Sequence, residues 1–547
     1  MTSPFILGQS QLDSIFTPLS LVSGRDFLVE LDAYDIGGSV AVTLYFGSTG
    51  YNHPTAPAFY LPRLLQPLNF RRDLYAAATT GGQSRASFGE MRLINNDGGL
   101  DYIKGYAVVG RQVRMYIGDV SQTYNSFEPL IVGKVNRILF NNNDITIQLR
   151  DQLDDLNTPL QTNKYLGTNV LPDGVEGSPT DDIKDKPKPL VFGSIINAIP
   201  VCVNTSKLIY QINDGPISGT TVYDNGVALT FGVSYEFEAD MESIAPSPGE
   251  FRQYQQGGYF RLGATPVGQI TCTTADGSQR SDNTAGQVAL RIATRTPDTG
   301  TGGVSPTNIS TTDVVALDSD NSNSVGVFSD GTATYTQALD AILTSVGAWY
   351  GFDRFGVLRM QRLELPVAPY AVLFRQASLF NPMSKDEYNI VDFRFVPSND
   401  PEKGNPSYRV SLTYAHNYTV QTGNSVSGIV DQTQKNFLSL ADRTQTASNT
   451  SVQDNFPLAV EKKVTTFLID GDAASTEAQR LLSIFNAPRD FLEIDVVLSS
   501  DIIAIVDLGA VISVDIPRLG YSGGKLMRVI GMQYNAQAGL VTMACWG

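Results

Sequence analysis

The chain has 547 residues and carries 55 acidic and 39 basic side chains, which gives a formal net charge of −16. This acidity disfavours a DNA- or RNA-binding role, because phosphate backbones repel it. Three widely spaced cysteines, an odd number, argue against a disulfide framework. The N-terminus lacks the basic and apolar regions of a signal peptide, and no apolar run approaches the roughly 20 residues that span a bilayer. We therefore expect a soluble chain of about three or four domains.

The N-terminal part is rich in strand patterns. Apolar residues at period 2 predict a hairpin over residues 26–48, with Gly37 and Gly38 at its turn. Further strands are predicted at residues 87–94, 113–117, 131–139 and 145–149. Turns rich in Asn, Asp and Gly separate several of them. The pattern favours antiparallel strands in a barrel or sandwich.

The central part changes character. Prolines and glycines break residues 150–190 into a long ordered connector that begins with one helical turn. The pair Asn225-Gly226 then predicts a tight hairpin turn. Short strands are predicted around residues 208–212, 221–223, 259–262, 269–273 and 288–292.

Two helices stand out in the C-terminal half. Apolar residues spaced by three and four predict a helix that begins after Thr334, its N-cap, and a second helix over residues 475–485. A strand, a turn at Gly351–Gly356 and another strand follow the first helix. The last strands are predicted at residues 492–498, 511–516, 525–530 and 540–545. They suggest a closing barrel or sheet.

The residues that usually perform catalysis are scarce. The chain has two histidines, His53 and His416, and both are predicted to have ordinary surface or core roles. The flanks of Cys202, Cys272 and Cys545 resemble strands, so we expect small buried core residues. Two acids inside predicted strands, Glu90 and Glu493, are explained by alternating outward positions. No catalytic residue is predicted.

Motifs for bound ions and phosphates are incomplete. The run Asp318–Asn323 begins like a calcium loop, but Asn323 stands where an EF-hand needs Gly and Ser329 where it needs Glu. The run Gly300–Gly302 begins like a dinucleotide fingerprint, but Ser305 replaces the third Gly. Two short basic runs, Arg71-Arg72 and Lys184–Lys188, are interpreted as solvated loop charge. The sequence predicts no metal, no cofactor and no cofactor-binding residue.

Three groups of segments together resemble a known family. They are 66–72, 79–82 and 89–100 in the first group, 149–153, 159–161, 165–169 and 186–193 in the second, and 347–353, 507–509, 519–520 and 525–531 in the third. The pattern is similar to tail proteins of siphophages and proteobacterial prophages. It resembles the central hub family of phage tail tips and baseplates, which contractile injection machines and gene transfer agents share.

The resemblance implies a fold and a role. It implies a mainly β, multidomain chain with antiparallel β-barrel hub domains and small α/β inserts. It also implies a homotrimer that caps the tail tube and adapts its six-fold symmetry to three-fold tip components. The expected partners are distal tail ring and tail tube proteins, the tape-measure protein, and central fibre or receptor-binding proteins. The expected location is the virion tail tip, after assembly in the host cytoplasm.

The domains are predicted from these patterns. We expect an N-terminal barrel over 1–160, a connector and β-rich insert over 161–330, a small α+β domain over 331–395, and a C-terminal barrel with one helix over 396–547. Three copies would triple the charge of −16, and an acidic lumen would let DNA slide without sticking.

Other interpretations remain open. The chain could be another tip component, such as a distal-tail ring subunit or a fibre anchor, or a tail-associated hydrolase of the cell envelope. An extracellular adhesin is a further alternative. Trp349 and Trp546 could be core residues or interface anchors.

Overall fold

The structure is a computed structural model that describes residues 25–75, 80–81, 84, 87–180, 182–277, 282–297, 302–376, 387–396, 405–536 and 538–547. The N-terminal segment considered above as a signal peptide lies outside these ranges. The protein is mainly β and multidomain, with 41% strand and 19% helix, as the sequence predicted. Within the described ranges, no helix combines the length and apolar character needed to cross a membrane.

The N-terminal strands confirm the predicted hairpin and the strands after it. They are β1 (Asp26–Asp35), β2 (Val40–Gly47), β3 (Leu61–Pro62), β4 (Leu64–Asp73), β5 (Phe88–Ile94), β6 (Tyr106–Ala107), β7 (Gln112–Gly118), β8 (Glu128–Phe140) and β9 (Asp144–Arg150). They pair in the order β4-β5-β9-β8-β7-β1-β2-β3, with β6 beside β1. Alternate side chains of these strands face one apolar core, as the period-2 pattern of apolar residues predicted.

After β9, the 3₁₀ helix Gln152–Asn157 gives the predicted helical turn. The central part then forms two small sheets and three helices. Its elements are β10 (Leu190–Ala198), β11 (Val201–Asn204), β12 (Ile209–Gln211), β13 (Ile217–Asp224), β14 (Val227–Ala228), β15 (Thr230–Phe231), α1 (Glu238–Ser243), β16 (Glu250–Tyr254), β17 (Tyr259–Leu262), β18 (Ile270–Asp276), α2 (Ala285–Thr294), α3 (Thr311–Asp320) and β19 (Gly326–Ser329). One sheet has the order β14-β13-β18-β10-β19 and the other β11-β12-β17-β16-β15. Asn225 and Gly226 have φ values of 50° and 82°, which confirms the predicted tight turn.

The strand predicted at residues 288–292 is wrong, because these residues lie in α2. Thr284 caps the helix by accepting a hydrogen bond from the backbone N–H of Gln287. Val288 and Ile292 are both buried at helical spacing. A short apolar run is compatible with both a strand and a helix. Here a helix forms because its apolar face packs on α3 and on the helix Tyr335–Thr344.

The C-terminal half begins with the predicted capped helix. Its elements are α4 (Tyr335–Thr344), β20 (Ala348–Phe352), β21 (Leu358–Arg362), β22 (Leu373–Gln376), β23 (Glu387–Phe395), β24 (Ser407–Tyr414), α5 (Gln432–Leu438), β25 (Arg443–Ser448), α6 (Thr450–Asn455), β26 (Val460–Val464), α7 (Gly471–Phe485), β27 (Phe491–Val497), α8 (Ser500–Ile505), β28 (Val511–Asp515), β29 (Lys525–Asn535) and β30 (Leu540–Trp546). Thr334 and Gln337 form a reciprocal capping box at the start of α4. The second predicted helix is α7, which begins four residues earlier than expected because Asp470 caps it.

Six of these strands close into a barrel. They follow one another in the order β28-β22-β23-β27-β30-β29, and β29 pairs back with β28. The short strand β22 runs parallel to both of its neighbours, whereas the other four pairs are antiparallel. The predicted C-terminal strands are therefore confirmed, and β22 and β23 complete the ring.

A seam between β29 and β4 joins the barrel to the N-terminal strands. Residues 531–535 of β29 pair with residues 69–73 of β4, which makes one 15-stranded sheet. The same apolar core continues across the seam, and it includes Phe70 and Met91 on one side and Met532 on the other. The N-terminal strands β1 to β9 and the barrel thus share one sheet and one core. The predicted four-domain division of the chain stays a prediction.

Next to the seam, the pairing of β4 with β5 leaves no room for a side chain at Gly89 of β5. A Cβ there would lie 2.4 Å from the carbonyl oxygen of Asn69 on β4. We expect Gly89→Ala to lower the free energy of unfolding by about 1–3 kcal/mol, because the strands must move apart. Urea unfolding measures this change. Gly351→Ala is the matched control, since nothing lies within 4 Å of its Cβ position, and an equal loss there would contradict the steric explanation.

Candidate functional site

The two histidines lie in separate, ordinary hydrogen-bonded settings. His53 Nδ1 is 2.8 Å from Thr55 Oγ1, and His416 Nδ1 is 2.8 Å from Asp442 Oδ1. The His416 ring also packs edge-on against Tyr418.

The cysteines follow the strand prediction, with one exception in burial. Cys272 on β18 and Cys545 on β30 are buried, and burial raises the pKa of both thiols, so both stay protonated and poorly nucleophilic. Cys202 on β11 is only half-buried, so the prediction of a buried core residue is wrong for it. Its strand, β11, is an edge strand of its sheet, so only one side of β11 is paired with another strand.

The acidic candidates have structural partners. Glu90 lies 3.6 Å from Arg92, and Glu493 pairs with Arg394 across two barrel strands. Asp318 lies in α3 and accepts hydrogen bonds from the side chains of Thr284 and Gln287 on the start of α2.

The first three residues of the calcium-like run, Asp318–Asp320, are therefore helical. Through Asp318 the run connects α3 with the start of α2. Among the described residues, no group of three or more His, Cys, Asp or Glu side chains could hold a metal ion. The start of the other incomplete motif, Gly300, lies outside the described residues.

A buried ionic junction consists of Arg72, Phe352, Arg354 and Asp507. Arg72 on β4 donates to Asp507 Oδ1 at 2.8 Å and to the carbonyl oxygen of Phe352 on β20 at 2.8 Å. The Arg72 side chain is 6% exposed and the Asp507 side chain 28% exposed. Burial alone would lower the pKa of Arg72, but Asp507 and Tyr534 outweigh it and raise the pKa. The guanidinium therefore stays charged inside the protein.

The junction connects three regions of the chain. Arg354, in the turn after β20, donates its backbone N–H to Asp507 Oδ2 at 3.4 Å, and its side chain lies 3.5 Å from Glu128 on β8. Burial raises the pKa of Asp151, the residue after β9, and the charge of Arg72 opposes this rise. The N-terminal strands, the β20–β21 hairpin and the barrel therefore meet at one charge cluster.

The sequence interpretation of the first basic run is half correct. Arg71 is exposed and pairs with Asp73, whereas Arg72 is buried. Solvated loop charge is therefore wrong for Arg72, because both residues lie on a strand and alternate residues face opposite sides. The strand period was the signal that could have identified it. In the second basic run, Lys184 is exposed and Lys188 pairs with Glu176 at 2.6 Å.

A second feature is an apolar rim, which consists of Ile36, Val40, Tyr102, Val109 and Phe140. Their exposed fractions are 61%, 50%, 44%, 61% and 42%. Strand register places them at the same end of the N-terminal strands. They lie at the β1–β2, β6–β7 and β8–β9 turns and in the 3₁₀ helix Asp101–Gly105, which precedes β6. Exposed apolar side chains gathered at one end of a sheet are typical of a protein–protein contact.

The two tryptophans are core residues in the structure. Trp349 on β20 and Trp546 on β30 are 4% and 1% exposed and belong to the same apolar cluster, with α7 residues around them. Neither side chain is available as an interface anchor.

Comparisons with known proteins find structural likeness only. No family model matches the chain, and no curated protein matches it. Among solved structures, it is similar to a tail protein from Neisseria meningitidis, with 9% identity, 95% of this chain and 96% of that chain covered, and a TM-score of 0.38. It is also similar to the 43 kDa tail protein of prophage MuSo2 from Shewanella oneidensis, with 10% identity, 95% and 98% covered, and a TM-score of 0.38.

A third similar structure is a chain of a native gene transfer agent virion, with 14% identity, 72% of this chain and 91% of that chain covered, and a TM-score of 0.38. Such TM-scores correspond to a loose overall superposition.

The buried junction predicts a strong effect of Arg72 on stability. Arg72→Met removes the charged partner of Asp507 and the side-chain donor to the Phe352 carbonyl, so we expect a loss of about 3–5 kcal/mol in the free energy of unfolding. Urea unfolding at neutral pH measures it. Arg394→Met removes the partner of an ion pair whose arginine is 76% exposed and should change stability by about 1 kcal/mol or less. Equal losses in the two variants would argue against the junction.

Asp151 predicts a specific pH dependence. Burial raises its pKa to about 6, although the backbone N–H groups of Ser87 and Leu153 and the nearby Arg72 oppose the shift. The folded state therefore binds this proton more tightly than the unfolded state, and its contribution to stability is lost as the pH rises from about 4 to about 6.

Asp151→Asn removes this titration. We expect the unfolding free energy of the variant, relative to the parent, to rise between pH 4 and pH 7 in urea titrations. A constant difference between the two proteins over this range would show that Asp151 does not titrate there.

Proposed function

We propose that this chain is a structural subunit of a phage-type tail tip, the central hub that caps the tail tube. In this role three copies adapt the six-fold symmetry of the tube to three-fold tip components. Its neighbours are the distal tail ring or tube, the tape-measure protein and a central fibre or receptor-binding protein. The location is the virion tail tip, after assembly in the host cytoplasm.

One observation carries the proposal. The sequence segments that resemble the hub family lie far apart in the chain, yet each of the three groups contacts another. Arg72 of the first group bonds to Asp507 and Phe352 of the third, and Leu149 of the second group pairs with Gly89 of the first across β9 and β5. Segments that belong to one architecture are expected to contact one another where its parts join. This convergence favours a shared hub fold over unrelated similarities of single turns.

The surface of the chain is compatible with assembly. The apolar rim offers large side chains at one end of a rigid sheet, and a symmetric oligomer would remove them from water. The closed barrel and the long continuous sheet leave few open strand edges, which limits aggregation before assembly. An acidic lumen that lets DNA pass belongs to the same proposal.

The role proposed is not enzymatic. The histidines lie apart, two thiols are buried, and the acidic candidates pair with arginines. A distal-tail ring subunit or a fibre anchor is the second candidate, since the same rim would serve a ring. A tail-associated hydrolase of the cell envelope is the third.

Oligomeric state tests the proposal. We expect mass photometry of the purified protein, or cryo-EM of the particle, to give three copies, whereas a ring subunit would give six. The double variant Ile36→Asp, Val40→Asp should shift trimers to monomers, because charges in the rim would have to be buried. Val315→Asp, at an exposed apolar residue on α3, is the matched control.

Two results would contradict the proposal. Hexamers would favour a ring subunit, and clearing of peptidoglycan in a zymogram would show a hydrolase. Trimers that persist in the double variant would retain the hub and exclude the rim from the contact.

A further inference from the structure

A polar groove of about 440 Å³ crosses the outer face of the long sheet at the seam. Its lining comes from five neighbouring strands, β29, β4, β5, β9 and β8. Phe70 and Met91 point from this part of the sheet into the apolar core, whereas Asn69 and Glu90 point into the groove. Neighbouring strands lie about 4.8 Å apart, so the groove spans about 19 Å from β29 to β8.

Two β-bulges shape the sheet beside the groove. The pairing of β4 with β5 shifts its register between Gln66 and Asn69, and the pairing of β8 with β9 shifts between Val135 and Arg137. Asn136 is the additional residue of the second bulge, and its side chain is exposed. A bulge bends its strand and turns the adjacent side chains in a new direction, which is why bulges occur often next to active sites.

Four amide side chains line the groove, those of Asn69, Asn136, Gln148 and Gln533. Within the part of the chain that the structure describes, none of the four forms a side-chain hydrogen bond with another protein group. Each amide has two N–H donors and one carbonyl acceptor. The groove therefore offers a row of neutral groups that can both donate hydrogen bonds to a ligand and accept them from it.

The two charged side chains of the lining already have partners of opposite sign. Arg71 donates to Asp73 at 2.8 Å, and Glu90 lies 3.6 Å from Arg92. The groove thus has little net charge of its own. This balance disfavours a phosphate, a carboxylate or a nucleic acid as the ligand, because each of these needs a surplus of positive charge.

An aromatic ring lies beside the amides. Phe88 lines the groove and is 55% exposed, and it lies on the same face of β5 as Glu90, two residues away. The flat apolar face of such a ring can pack against the C–H groups of a ligand while the amides bind its polar groups. The lining therefore suits a ligand that is neutral, rich in hydroxyl groups and apolar on one face.

We propose that this groove binds a neutral oligosaccharide, a linear chain of unmodified hexoses. The amides exchange hydrogen bonds with the sugar hydroxyls, and Phe88 packs against the apolar face of one sugar ring. A row of about 19 Å is longer than a single sugar or a single nucleobase and suits several linked rings. An extended peptide would need an open strand edge, whereas all five strands here are paired on both sides. The proposal is independent of the hub function.

Calorimetric titration of the full chain with maltopentaose, cellopentaose and mannopentaose tests the proposal, because their linkages give three different chain shapes. We expect one site per chain for at least one of them, with a Kd of about 1 mM or tighter. Glucose and mannose should bind at least about tenfold more weakly, since one ring reaches only part of the row. The affinity should change by less than about twofold from about 50 to 500 mM NaCl, because no charge is recognised.

Two variants locate the site. Phe88→Ala removes the aromatic ring and should weaken binding of the pentasaccharide by about tenfold or more. Phe237→Ala, at a phenylalanine that is 59% exposed beside α1, is the matched control and should leave the affinity unchanged. Gln148→Met keeps the length of the side chain without its amide and should weaken binding by about tenfold. Gln434→Met, at a half-buried glutamine of α5, is its control.

Several outcomes would overturn the proposal. They are no saturable binding of any of the three pentasaccharides, and an affinity that is unchanged in a folded Phe88→Ala protein. Adenosine that binds in the groove as tightly as the pentasaccharide would also overturn it, because the groove would then recognise a nucleobase. The titrations with sugars and adenosine use the unaltered protein, so they do not depend on whether a variant folds.

Discussion

The ion pair between Arg72 and Asp507 fixes the relative positions of three distant parts of the chain. A guanidinium removed from water costs several kcal/mol unless its donors are satisfied. Here the partners are a carboxylate and a backbone carbonyl from a hairpin far away in the chain. The strand β4, the β20–β21 hairpin and the segment before β28 must therefore be placed together, or the charge is left unpaired. Such a pair adds little net stability but strongly disfavours other arrangements of these parts.

A second buried network uses the same physical device. Glu477 on α7 is 2% exposed and accepts hydrogen bonds from Arg362 on β21 and Arg480 on α7. Arg480 also donates to Glu364 and to the carbonyl oxygen of Leu363. The long helix is thereby fixed to the hairpin that enters the ionic junction. The networks around Arg72 and around Glu477 together connect α7, the β20–β21 hairpin, the barrel and the N-terminal strands.

Rigidity of this kind suits the proposed role. A hub that joins six-fold and three-fold components must hold its contacts with each partner in fixed positions. The strands of one continuous, well-packed sheet move little relative to one another.

The sequence by itself determined the local structure. The Asn225-Gly226 turn, the capping box at Thr334 and the period-2 strands all depend on neighbours within a few residues, so they were predictable. The mainly β class followed from the same patterns. At residues 288–292 local preference was ambiguous, and packing of α2 on its neighbours decided for a helix.

Only the tertiary structure decided how these elements combine. The pairing of β29 with β4 and the ring closure by β22 join residues more than 100 positions apart, and no local pattern encodes such pairings. The burial of Arg72 depends on Asp507 being opposite it, which the sequence around either residue does not reveal. Local chemistry fixes what each segment forms, and long-range packing fixes which surfaces and cavities remain.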